Sequence, residues 1–262
     1  MSDAFRKIRR KLLEENKFTR FVGVAFVEML LIIVGILLAL QLNTWKEKRV
    51  DIQKMNLELK ALVDALQEDR RELATVELIS MFRVHALRYL LEYSGETSWL
   101  SMNKAEMVPF RESHYWQKSL PEKLDREFIE QAFLVSANYG SMYSNTNVID
   151  EMRSIGLYSS FENQELKALI NKYYRELEWR LLSDESPVRL AVDWDKLLIE
   201  RGVTSHNIAD VQDPISILID SPKATALLKR IVLDSNWRAR SADELIIQID
   251  RIIDMIELEI AK

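Results

Sequence analysis

The chain has 262 residues, enough for one or two domains, and no cysteine, which excludes disulfides, thiolate nucleophiles, Cys-ligated zinc and iron–sulfur clusters. Its net charge of −5 hides an asymmetry: residues 1–43 hold seven Lys/Arg against four Asp/Glu, and the remainder holds 29 against 37. The acidic bulk argues against a nucleic-acid partner, which requires a positive footprint, whereas the basic end adjoins an apolar run and points to anionic lipid.

Residues 5–13 are amphipathic. Phe5, Ile8 and Leu12 share one helical face, with Arg6, Lys7, Arg9, Arg10 and Lys11 around it. The pattern predicts a short helix on the cytoplasmic membrane surface, its cations at lipid headgroups. A disordered basic tail is the alternative.

Phe21 to Leu42 follows, 22 residues whose only strongly polar side chains are Glu28 and Gln41. As a helix it spans roughly 33 Å, enough to cross the hydrocarbon core. A buried core helix rarely runs this long without polar positions. The run is too long for a signal-peptide h-region, and Leu40-Gln41-Leu42-Asn43-Thr44-Trp45 has no small-x-small cleavage pattern, so an uncleaved signal anchor is expected. Gln41, Asn43 and Trp45 fall at the membrane–water interface, where an aromatic belt belongs. Seven Lys/Arg before the span (Arg6 to Arg20) face four after it (Lys46, Lys48, Arg49, Lys54). That bias favours a cytoplasmic N-terminus and an extracytoplasmic C-terminal part.

Glu28 is the costly residue, because an ionisable group inside a membrane helix is rare and marks function by default. It shares a helix face with Ile32, Gly35 and Ala39, at offsets of 4, 7 and 11. Gly35 and Ala39 form a small-xxx-small pair that lets helices approach closely. Three readings stay open: a carboxyl that is protonated or reaches toward the basic flank, a helix–helix seam, and an ion or proton path.

Beyond the membrane run, Ile52, Met55, Leu59, Leu62, Leu66, Leu73 and Val76 follow a three–four spacing, broken by Asp69, Ser80 and Arg83. No helix breaker occurs between Trp45 and Tyr93, so the helix is expected to run on to Ser94-Gly95. It is either a coiled-coil stalk or a helix packing within its own chain. Residues 94–122 read as irregular. Helices are expected over Leu124–Val135, over Asn145–Ile155 with Gly156 as cap, after Asn163 along Leu166, Ile170, Tyr173 and Leu177, and over Pro187–Arg201 closed by Gly202. Another starts near Ser221-Pro222, and the last carries Leu245, Ile249, Ile252, Ile256 and Ile260.

No catalytic constellation emerges. His85, His114 and His206 lack metal-ligand spacing, Asp193 and Asp195 do not converge on a helix, and Asn138-Tyr139-Gly140-Ser141 lacks the GxSxG pattern of a hydrolase nucleophile. No cofactor or metal is expected, and the chain is read as not an enzyme.

The run Phe5-Arg6-Lys7-Ile8-Arg9, then Leu12-Leu13, Asn16-Lys17-Phe18 and Glu28, then Gly35 to Glu47, resembles a single-pass membrane-protein family of Bacteroidota annotated only as a domain of unknown function. The likeness is specific over residues 5–48 and weaker over Met152 to Tyr174. It implies an N-in anchor in the bacterial inner membrane with a helical domain in the periplasm, and it brings no catalytic residues. The expected fold is therefore all-α. It comprises a basic amphipathic segment at 1–20, a transmembrane helix at 21–42 continuing into a long helix at 43–93, and a helical extracytoplasmic domain at 94–262. The expected function is a membrane-anchored, non-catalytic module, scaffold or sensor-like. It forms a homo-oligomer and binds an unknown protein partner or ligand outside the cytoplasm. A homo-oligomeric channel or proton path around Glu28 is the alternative.

Overall fold

The computed structural model describes Lys7 and residues 17–102, 107–219 and 221–261. The fold is all-α, and among the described residues the only β-type pairing is an isolated bridge between Ser113 and Trp116. The chain divides into two compact units, Met1–Leu57 and Glu58–Lys262. Except for Lys7, the amphipathic segment expected at 5–13 lies outside the described residues.

Helix α1 runs from Lys17 to Tyr93. Its first part is long and apolar enough to cross a membrane, and none of that stretch is buried. The expected stop at Ser94-Gly95 is where the helix ends. Gly95 takes φ +98°, Glu96 N–H donates to the Leu91 carbonyl and Gly95 N–H to Glu92. This αL cap with crossed bonds satisfies the last carbonyls, and only glycine adopts it without strain.

In the second unit, α1 is not a free stalk. Leu59, Leu62, Leu66, Leu73 and Val76 are fully buried, and from Ile79 to Leu91 nearly every side chain is covered. The three–four spacing from Leu59 onward therefore packs within the chain, which leaves those residues unavailable to a coiled-coil partner. Ile52, at the start of the pattern, is exposed.

After the short helix α2 (Thr97–Met102) come α3 (Arg126–Ser136), α4 (Asn147–Ser154), α5 (Leu157–Ser160) and α6 (Gln164–Leu177). A π-helical turn, Glu178–Leu182, leads to α7 (Ser186–Glu200). Side-chain caps set two of these starts: the Asp125 carboxylate accepts from Phe128 N–H, and the Asn163 side chain from Leu166 N–H. Before the last helix comes a short 3₁₀ turn, Pro214–Ile217, with Ile215 and Ile217 buried. Helix α8, Pro222–Ile260, is one continuous helix where the sequence suggested two. It packs against α6 and α7. Phe128 sits at the aromatic centre of the core, edge-on to Phe82, Tyr89 and Trp116 at 5.9, 4.7 and 4.9 Å.

Candidate functional site

Glu28, Ile32, Gly35 and Ala39 all lie on α1 with their side chains exposed. A Cβ built on Gly35 meets nothing within 4 Å, so the position makes no demand for glycine inside its own chain. At the expected interface the Asn43 amide donates to the Glu47 carboxylate at 2.7 Å. The Arg49 guanidinium lies 5.5 Å from the Trp45 ring centroid. Gln41 is exposed, as is Lys7, while Arg6, Arg9, Arg10 and Lys11 fall outside the described residues. Ile52 follows Glu28 by 24 residues, about 240° around a helix of 3.6 residues per turn. The pattern starting at Ile52 is thus on a different face from the Glu28 face and does not prolong it. The Glu28 face itself meets Lys46 just past Trp45, which confines any apolar seam on it to the apolar run.

A second polar arrangement lies inside the 58–262 unit, on the residues that break the three–four spacing. Asp69, Ser80 and Arg83 are buried, and the two charged ones hold the irregular segment between α3 and α4. Arg83 Nη2 donates to the Ser136 carbonyl at 2.7 Å. Arg238 of α8, also buried, donates to the Gly140 carbonyl at 2.9 Å. The Asp69 carboxylate accepts from Asn145 N–H, from the Ser144 hydroxyl and, at 2.8 Å, from the Tyr173 hydroxyl. Trp194 Nε1 donates to the Ser136 hydroxyl, which donates to the Phe133 carbonyl. Gly140 takes φ +63°, and a Cβ there would come within 2.8 Å of Ile79 Cγ2, so residues 136–145 are a strap drawn against α1. A strap lacks the ladder that satisfies helix backbone, and these side chains supply the missing partners.

Burial raises the Asp69 carboxyl above its ordinary value, opposed by the hydrogen bonds from Tyr173, Asn145 and Ser144. Burial raises Asp234 as well, against the pull of Arg238 and Arg83. It pushes Arg83 down to about 10, with Asp234 opposing and Arg238 reinforcing that shift. A carboxyl raised in the folded chain binds more protons there than in the unfolded chain over the window between the two values. Its contribution is therefore fully present below the unfolded value and is lost as pH rises through the folded one. The urea midpoint of the wild type is expected to rise relative to Asp69→Asn as pH falls from neutrality toward the ordinary carboxyl value of about 4. Parallel pH profiles for the two proteins would contradict the assignment.

The histidines each have a local contact: His85 meets the Val108 carbonyl at 2.9 Å through Nε2, the His114 ring lies 3.9 Å from that of Tyr115 at a tilt, and His206 is 3.3 Å from the Ser205 hydroxyl. Among the described residues no three His, Asp or Glu are placed to hold a metal ion. Sequence reasoning flagged Asp69, Ser80 and Arg83 only as breaks in the spacing. That signal could have located the interior polar layer, since a polar residue at a core position must find a partner. The α8 residues Asp234 and Arg238 gave no such signal. No family model, curated protein or solved structure matches the chain.

Proposed function

We propose that this chain is a membrane-anchored, non-catalytic helical module that self-associates through the Glu28–Gly35–Ala39 face. Its 58–262 unit serves outside the cytoplasm as a binding or scaffolding domain for a partner. One observation carries the reading. The helix is exposed on every side over residues 22–54 and apolar as far as Leu42, and Glu28, the one acid in that apolar run, shares a face with Gly35 and Ala39. In lipid, apolar side chains gain little from burial against one another, so association rests on close packing and polar contacts, which this face offers.

The seven-to-four Lys/Arg bias across the span supports a cytoplasmic N-terminus. A C-terminal alkaline phosphatase fusion, a reporter that requires an oxidising compartment, is expected to be active, and a C-terminal GFP fusion dark. An inactive phosphatase paired with a fluorescent GFP reverses the topology.

A further inference from the structure

We propose that the cleft between the end of α1 and the first turns of α8 binds a small zwitterion, an α-amino acid with an aliphatic side chain. The cleft lies within the 58–262 unit, so the proposal stands or falls independently of the Glu28–Gly35–Ala39 face. It holds about 450 Å³, in the range usual for small-molecule sites. Ser94 and Glu96 line it from the α1 side, Thr225 and Lys229 from α8, and Ile219 adds an apolar wall.

The two walls differ in chemistry. Thr225 is nine-tenths buried, yet its hydroxyl makes no hydrogen bond among the described residues, not even the common one to the carbonyl a turn back. Its oxygen is not sealed from solvent, so it opens into the cleft that the residue lines. Lys229 is one turn further on, and helical side chains lean toward the N-terminus, which brings its ammonium back over Thr225. That ammonium spends one of its three N–H groups on Glu96 Oε2, at 2.5 Å. The α8 wall therefore donates. The α1 wall accepts. Ser94 gives its proton to the Leu91 carbonyl at 2.9 Å, which leaves only lone pairs for a ligand, and Glu96 Oε1 is uncommitted among the described residues.

Lys229 and Glu96 offset each other, so the cleft favours neither a lone anion nor a lone cation. A zwitterion meets both walls at once. Its carboxylate accepts from the Thr225 hydroxyl and a spare Lys229 N–H, and its ammonium donates to Glu96 Oε1 and Ser94 Oγ. The bonds are charge-assisted, which makes them stronger than those that water makes with the same groups. An aliphatic side chain covers Ile219, otherwise 45% exposed.

The test is isothermal titration of the full chain in detergent with L-leucine, with 4-methylpentanoate, which lacks the ammonium, and with isoamylamine, which lacks the carboxylate. Tryptophan fluorescence gives a second readout, since the Trp99 ring centroid lies 5.9 Å from Lys229 Nζ. Leucine is expected to bind saturably, and each half-ligand at least about tenfold more weakly, the order of one lost hydrogen bond to a charged group. Thr225→Val keeps the shape and removes a hydroxyl that has no partner in the fold. It should melt as the wild type does and bind leucine about tenfold more weakly. Glu96→Gln should weaken leucine as well but tighten 4-methylpentanoate, because Lys229 is then free for the carboxylate. No saturable response to leucine in either readout overturns the site. So does a half-ligand that binds as tightly as leucine, or a Thr225→Val protein that binds leucine as the wild type does.

Discussion

Replacing Arg83 with methionine is expected to destabilise the 58–262 unit by about 3–5 kcal/mol, the cost of removing one member of a buried charged network. Methionine fills much of the same volume, so the loss comes from the groups left behind rather than from a cavity. The Ser136 carbonyl loses its donor at 2.7 Å, and Asp234 loses one of the two guanidinium groups that offset its burial. Ser136 also takes the Trp194 indole bond, so the disturbance reaches the wall of the aromatic core. Tyr143→Ala, on the same strap but 80% exposed, is expected to stay within about 0.5 kcal/mol of wild type. Urea titration of both variants in detergent checks the contrast. A cost below about 1 kcal/mol for Arg83→Met would mean that the strap is held by its other contacts.

This contrast shows where the sequence was legible. Helix ends were readable because their chemistry is local. Gly95 and Gly202 close helices in the left-handed region, and Asn163 and Ser221 cap the starts of α6 and α8. The apolar run at Phe21 to Leu42 was readable as part of one long helix because its length and apolar composition are properties of the local sequence. The environment of α1 past Leu57 was not. A three–four spacing is the same whether the partner helix belongs to another copy or to the same chain, and only tertiary contacts show Leu59, Leu62 and Leu66 buried at home. The π-helical turn at Glu178–Leu182 was also hidden, because its residues continue the helical stripe of α6. Arg238 could not be found in the sequence either. Its partner is the carbonyl of Gly140, 98 residues away, and backbone carbonyls carry no sequence signature.

The Glu28–Gly35–Ala39 face yields the second prediction. Gly35→Leu is expected to weaken self-association by about 1–2 kcal/mol or more, roughly tenfold in the association constant, because a leucine holds apart helices that glycine lets touch. The substitution is uninformative about folding only if the site is open within the chain, and it is: a Cβ at Gly35 meets no atom within 4 Å. A loss of assembly therefore reports on a second copy. Leu38→Ala, on another face of α1, should leave assembly unchanged. Glu28→Gln should preserve it, since an amide still hydrogen-bonds across helices, whereas Glu28→Leu should loosen it. The most direct measurement is the particle mass of the full chain in detergent, by mass photometry at matched concentration, for wild type and Gly35→Leu. The account predicts an oligomer for the wild type and a shift to monomer for the variant. A monomeric wild type, or a Gly35→Leu protein that assembles as the wild type does, would contradict it.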